Sequence, residues 1–260
     1  MKKGLVSLIF FIIVASTIYS QTLKNYCDTA RNYIIDGKTT PVLSVLPKVY
    51  GSFMTENDKF FKVAEELETM RVNDQAVRFL LMDTQKRFGK ESSEYEKVHK
   101  YMTGLDKENT LRAKNIIEQY GWLSKEAVGD DAEEGLFLIV QHSVDSAFQS
   151  RCLEKLRQAV KDDESLKWQY AFLVDRFAMN NGERQVYGTQ KIEIDGVPYP
   201  VPLKNPRRVD SLRKKMGMES LWKELQEDYG GKWNLKKYLE SESKSEEVYS
   251  NWLKKNRNVR

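Results

Sequence analysis

The stretch VAEELETMRVNDQAVRFLL, residues 63–81, sets Val63, Leu67, Met70, Val77 and Leu81 at intervals of mostly three or four residues. That period marks an amphipathic helix with one face on a core. Asp74 stands in the same stripe, where an apolar residue is expected. A carboxylate there faces the core or a cleft cut into it, and a buried charge is expensive unless paired. Arg71, Gln75 and Arg78 form the adjacent row, so Asp74 has cationic neighbours about one turn away in both directions. Two roles stay open: a structural Asp–Arg pair, or a functional carboxylate.

The helical pattern extends outward from Glu56 to Phe88 and stops at Gly89. Before it, Thr22 to Ile35 reads as a short helix closed by Gly37, and Pro41 to Tyr50 as another. Glu94 to Tyr120 follows, ended by Gly121, with Gly104 a possible interruption. Asp130-Asp131 are expected to N-cap a central helix that carries Leu136-Phe137-Leu138-Ile139-Val140-Gln141-His142. A break near Asp145-Ser146 precedes a helix to Val160, and Ser165 caps one more, to Met179. The period then changes. Asp195-Gly196 separates two β-prone runs and predicts a hairpin over 184–203. Pro198, Pro200 and Pro202 confine the second run to an edge or an extended arm. Helical patterns return at Val209 to Met216 and Glu219 to Asp228, with a boundary at Gly230-Gly231. The fold class is therefore mainly α, a multi-helix, bundle-like core with one β-hairpin.

Polar residues interrupt two further apolar segments. His142 ends the apolar run at 136–140, where a core edge shifts pKa values and polar groups need partners. If the helix continues, Asp145 and Gln149 follow His142 at steps of three and four, and a carboxylate one turn from an imidazole fixes its tautomer. That arrangement suits a general base and equally a hydrogen-bonded core histidine. Trp168, Phe172 and Met179 make another stripe, with Asp175 in the missing turn and Arg176 beside it. His99, the other histidine, sits among Glu96, Lys97 and Lys100 and reads as solvent-facing. There is no metal-ligand spacing, phosphate-cradling loop or nucleophile elbow, and no cofactor is expected.

The ends and the charge balance set the context. Lys2-Lys3, an apolar stretch from Leu5 to Val14 and then small and polar residues have the layout of a secretory signal peptide, with cleavage expected between Ser20 and Gln21. The stretch is short for a bilayer span. Export to the periplasm or the extracellular space is the expectation, with no membrane association after cleavage. Cleavage leaves 40 basic residues against 38 acidic ones with the signs mixed, so no nucleic-acid partner is implied. Cys27 and Cys152 could pair in an oxidising compartment or remain a surface thiol and a buried one. The expected organisation is a leader over 1–20, a helical extension over 21–60, a helical core with the hairpin over 61–228 and a charged helical extension over 229–260.

Several short motifs occur in a specific order: Asp74-Gln75 with Arg78; Gly121-Trp122 and Val128-Gly129; Ile139-Val140-Gln141-His142; Asp175-Arg176; Gln185-Val186-Tyr187-Gly188-Thr189-Gln190; then Val209-Asp210, Arg213 and Gly217. Together they resemble an uncharacterised bacterial family, domain of unknown function 6624, over about residues 65–225. The resemblance implies no activity. It does imply that these residues belong to one recurring pattern. This chain departs from that pattern twice. Val144 stands where the family tends to place Asp two residues after the His, with Asp145 following, and Leu123 replaces Pro after Gly-Trp.

Two functions fit. One is a hydrolase or transferase with His142 as base, oriented by Asp145, Asp74 or Asp175. Arg78 and Arg176 would then stabilise negative charge, and Gln75, Gln141, Gln185, Tyr187, Thr189 and Gln190 would position substrate. The other is a non-catalytic module binding a small polar ligand or a protein partner, with the same cluster as a brace. Oligomeric state is not encoded in these signals.

Overall fold

A computed structural model describes residues 20–162, 166–194, 197–229 and 234–257, and the expected leader, the Ser165 cap, the Asp195-Gly196 turn and the Gly230-Gly231 boundary lie outside them. The described residues hold twelve helices and one two-stranded antiparallel hairpin. They divide into two compact units, one ending at Lys62 and the other beginning at Val63.

In the first unit α1 (Gln21–Ile35) and α2 (Thr39–Asn57) bury Ala30, Val42 and Val45 together with Tyr26 and Tyr33. The Ser20 side chain caps α1 by accepting from Leu23 N–H at 3.1 Å. The sequence period runs without a break into the next helix, but the backbone does not. α2 reaches Asn57, and Asp58 Oδ1 then accepts from Phe60 N–H at 2.8 Å. That local turn competes with helix continuation, so α3 starts afresh at Phe61.

The second unit is built around α3 (Phe61–Phe88), α4 (Ser93–Tyr120) and the central α6 (Asp130–His142), with one short turn, α5 (Lys125–Val128), between the last two. α3 buries Val63, Leu67, Met70 and Val77, and Asp74 with them. α4 passes through Gly104 unbroken. The N-cap of α6 is Gly129 rather than an aspartate. Asp130, Asp131 and Glu133 instead occupy the first turn, where the helix dipole favours acidic side chains. Gly135 lets α6 cross α3 closely, since a Cβ there would lie 2.6 Å from the Leu67 carbonyl oxygen. Seven residues further along each helix, Asp74 meets His142.

α6 ends at His142, where Ser143 turns extended. Asp145 therefore does not sit one helical turn from the imidazole. It pairs with Lys114 at 2.6 Å and caps α7 (Ser146–Asp162) by accepting from Phe148 N–H. Gln149 donates to the Val140 carbonyl at 3.1 Å, closing the end of α6. α8 (Lys167–Asn180) then leads to β1 (Lys191–Ile194) and β2 (Val197–Pro200), paired in the register Lys191 to Pro200. The hairpin is shorter than expected: 186–190 form no strand, and only Gln185 bridges Leu203. With two strands both are edges, so the prolines remove nothing the sheet requires.

α9 (Val209–Lys215), α10 (Leu221–Tyr229) and α11 (Leu235–Glu240) gather Leu203, Val209, Leu221, Leu225 and Tyr238 into one apolar cluster. α12 (Glu242–Arg257) packs Val248 and Tyr249 on Met179, Ile192 and Val201, so the charged C-terminal segment carries an apolar face. Both cysteines are free thiols, and burial pushes the Cys152 thiol up to about 12. No described helix is long and apolar enough to cross a membrane.

Candidate functional site

Where α3, α4 and α6 meet, four charged or titratable side chains converge. Asp74 is fully buried. Its Oδ1 lies 3.0 Å from His142 Nδ1 and 3.2 Å from Arg78 Nη2, and its Oδ2 accepts from Gln75 Nε2 at 2.8 Å. Arg78 Nη2 also pairs with Asp106 on α4 at 2.8 Å. The Arg78 Nε lies 3.1 and 3.3 Å from the two ring nitrogens of His142. The two lone-pair directions of an imidazole diverge, so a donor nearly equidistant from both rests against the ring and occupies neither fully.

Burial lowers the His142 pKa below its ordinary value. The Asp74 hydrogen bond opposes this shift, while the Arg78 and Arg176 charges reinforce it. The imidazole is accordingly neutral at neutral pH, with its proton assigned to Nδ1 because the Asp74 carboxylate can only accept. Nε2 is then the ring's remaining acceptor, with the Arg78 Nε donor 3.3 Å away, and the His142 side chain keeps 19% of its exposure. Burial raises the Asp106 carboxyl, with Arg78 pulling it part of the way back. The site thus holds a neutral base on an orienting carboxylate, a guanidinium shared between two aspartates and a second carboxyl with enhanced affinity for a proton.

Arg78 Nη1, Gln141 Oε1 and both amide atoms of Asn109 are buried without a hydrogen-bond partner. Asn109 lies one turn beyond Asp106 on α4. Such groups are uncommon in folded proteins and costly to desolvate.

Asp175 does a different job. Its carboxylate accepts from the backbone N–H of Val186, Tyr187 and Thr189 at 2.7 to 3.1 Å and from the Thr189 hydroxyl at 3.1 Å. The segment after α8 is therefore wrapped around an anion the protein supplies itself. Gln185 donates to the Gln190 and Val201 carbonyls and accepts from Gln190 N–H, and Gln190 Nε2 donates to Thr189 Oγ1. Buried Arg213 completes the brace, bonding the Tyr187 and Glu219 carbonyls and pairing with Glu224. Gly188 adopts φ +74°, and a Cβ there would meet the Leu221 side chain at 2.6 Å. Burial raises the Asp175 pKa against the pull of its hydrogen bonds.

The expected site therefore separates into two. Asp74, Gln75, Arg78 and His142 come together, with Gln141 next in chain. Asp175, Gln185, Thr189 and Gln190 instead satisfy one another and the loop backbone, as does the main chain of Tyr187. Arg176 links the two: its neighbour in sequence holds the loop, while its own charge acts on His142. His99 is not solvent-facing as expected but half-buried, its ring stacked near Tyr95. Asp106 and Asn109 escaped the sequence reading, although Asn109 precedes Ala113, Ile116 and Ile117 in one buried α4 stripe and Asp106 lies one turn before it. Among the described residues no group of three or more His, Cys, Asp or Glu side chains is placed to hold a metal ion.

No curated protein and no solved structure matches the chain. A family profile does, over residues 62–234, a span that takes in the whole Asp74–His142 cluster and the Asp175 brace. The chain belongs to the family of unknown function DUF6624.

Proposed function

We propose that the protein is an enzyme of general acid–base chemistry, a hydrolase or transferase, with His142 as base, Asp74 as its orienting carboxylate and Arg78 stabilising developing negative charge. The observation that carries this reading is the 3.0 Å contact between His142 Nδ1 and buried Asp74, beside an imidazole still partly open to solvent. Water is the favoured nucleophile, because no serine or cysteine has an activating base beside it in the sequence pattern. Asp106 is the proposed proton donor. Gln141 and Asn109 supply amide groups for a small polar substrate. The Asp175 brace positions this site through Arg176 and does not bind substrate. The leader-like segment over 1–20 supports export, which mass spectrometry of the chain recovered outside the cytoplasm tests through its first residue.

A panel of chromogenic esters, phosphoesters and glycosides tests the chemistry. Turnover should fall at least ~100-fold in both His142→Asn and Asp74→Asn, the scale at which a positioned base acts. Turnover that survives in His142→Asn overturns the reading, as does a His142 ring whose 15N shifts place its proton on Nε2. The second reading, a non-catalytic ligand-binding module, is favoured by the unpartnered buried groups Arg78 Nη1 and Asn109.

A further inference from the structure

A second feature lies further along α3. Beyond Arg78, Met82 and Lys86 on α3 and Lys90 just past its end line a cavity of about 610 Å³ whose opposite walls come from α8, β1 and α12. Its floor is apolar, made by Met82, Met179, Ile192 and Trp252. Met179 and Ile192 belong to a buried cluster, whereas Met82 is 69% exposed. The rim is cationic. Lys191 is committed to Glu224 at 2.9 Å, but Lys86 and Lys90 have no acidic partner among the described residues.

From this we infer that the cavity binds an anionic amphiphile, a single carboxylate or phosphate headgroup on an apolar body, with the body on the Met82–Trp252 floor and the headgroup at Lys86 and Lys90. The volume falls in the range of small-molecule sites, roughly 300–1,000 Å³. Methionine walls adapt to flexible or flat apolar groups, and an exposed lysine pair with no acidic partner attracts an anion. A neutral lipid would leave the lysines unused, and a bare inorganic anion would leave the apolar floor in water. The site is separate from the His142 cluster and does not rest on its being catalytic. The two are neighbours, since Met82 lies one turn beyond Arg78 and Arg176 Nη1 lies 3.9 Å from Met179 Sδ. Trp252 lies outside the matched family segment of 62–234.

Isothermal calorimetry with laurate, dodecyl phosphate and dodecanol, each below its aggregation threshold, tests the inference on the full chain. Laurate or dodecyl phosphate should bind one to one, whichever is tighter naming the headgroup, and dodecanol at least tenfold more weakly. The double variant Lys86→Gln/Lys90→Gln should weaken the anion at least tenfold and dodecanol less than twofold. Both lysines are exposed, so the melting temperature should hold. His142→Asn should bind laurate as the native chain does. No saturable binding of either anion overturns the inference, and so does binding indifferent to the two lysines. Laurate binding lost in His142→Asn would move the ligand to the other cluster and overturn it as well.

Discussion

Asp74 and Asp175 are both fully buried aspartates standing where a helical stripe calls for an apolar residue, and their surroundings are opposite. The partners of Asp175 are backbone amides held by the chain itself, so it works as a structural anion that fixes 186–189. The partners of Asp74 are side chains: an imidazole, a guanidinium and an amide. Two of these reach solvent, the Arg78 and His142 side chains keeping 21% and 19% of their exposure. A carboxylate that closes a loop and one that orients an ionisable ring look alike in a stripe of apolar residues. What separates them is whether their partners can move and change charge.

Substitution should break the two apart, most forcefully at Asp175. Asp175→Ala leaves two buried amides, the part-buried Val186 amide and a hydroxyl without their acceptor, each costing on the order of 1–3 kcal/mol. With partial relaxation we expect a loss of about 4 kcal/mol and a fall of roughly 10 °C in melting temperature, read by calorimetry. A fall of less than about 3 °C would show that the loop does not depend on the anion. Gly135→Ala comes next. Its new Cβ meets a backbone oxygen rather than a flexible side chain, and overpacking of this kind costs about 1–3 kcal/mol. Because the same crossing brings Asp74 to His142, the variant should also disturb the His142 ring resonances. A Gly135→Ala protein with native stability and unchanged ring shifts would detach the crossing from the site.

The stripe at 63–81 and the apolar run at 136–140 were legible because burial imposes a period on sequence, and the fold class follows from them. Polar positions in those stripes marked Asp74, His142 and Asp175 for the same reason. Their partners were not legible. Whether an aspartate meets an imidazole or a peptide amide depends on helix crossings and loop paths, which no local period encodes. The break at Asp58 was hidden because a side chain bonding its own backbone interrupts a helix without interrupting hydrophobicity. Tyr187 to Gln190 read as strand because β-prone residues also suit an extended loop, and only the Asp175 carboxylate decides between them. Asp106 and Asn109 were passed over because 106–110 is an unbroken polar run, although Val98, Met102 and Leu105 lead to Asn109 at helical steps and Ala113 continues them.

Asp74→Asn should cost less stability than Asp175→Ala, about 1–2 kcal/mol, because Arg78 and His142 can turn toward water. Its larger effect falls on the ring. The amide can still accept from Nδ1–H, but the charge that opposes the lowered His142 pKa is gone, so that pKa should fall further. The smallest effect is the dependence of stability on pH, and it isolates the Asp74 side of the comparison. A histidine whose folded pKa is depressed leaves the unfolded chain binding more protons below pH 6.5. Its contribution is therefore complete above pH 6.5 and is lost as pH falls from there through the folded value. Asp106 and Asp175 act with the opposite sign and lower down, since their raised pKa values make stability fall as pH rises from 3.8 toward the folded values. The difference in denaturation midpoint between native chain and His142→Asn, followed downward from pH 7, removes the carboxyl contributions common to both. That difference should shift against the native chain as pH falls below 6.5, and a flat difference would mean that burial leaves no net lowering of the His142 pKa in the folded chain.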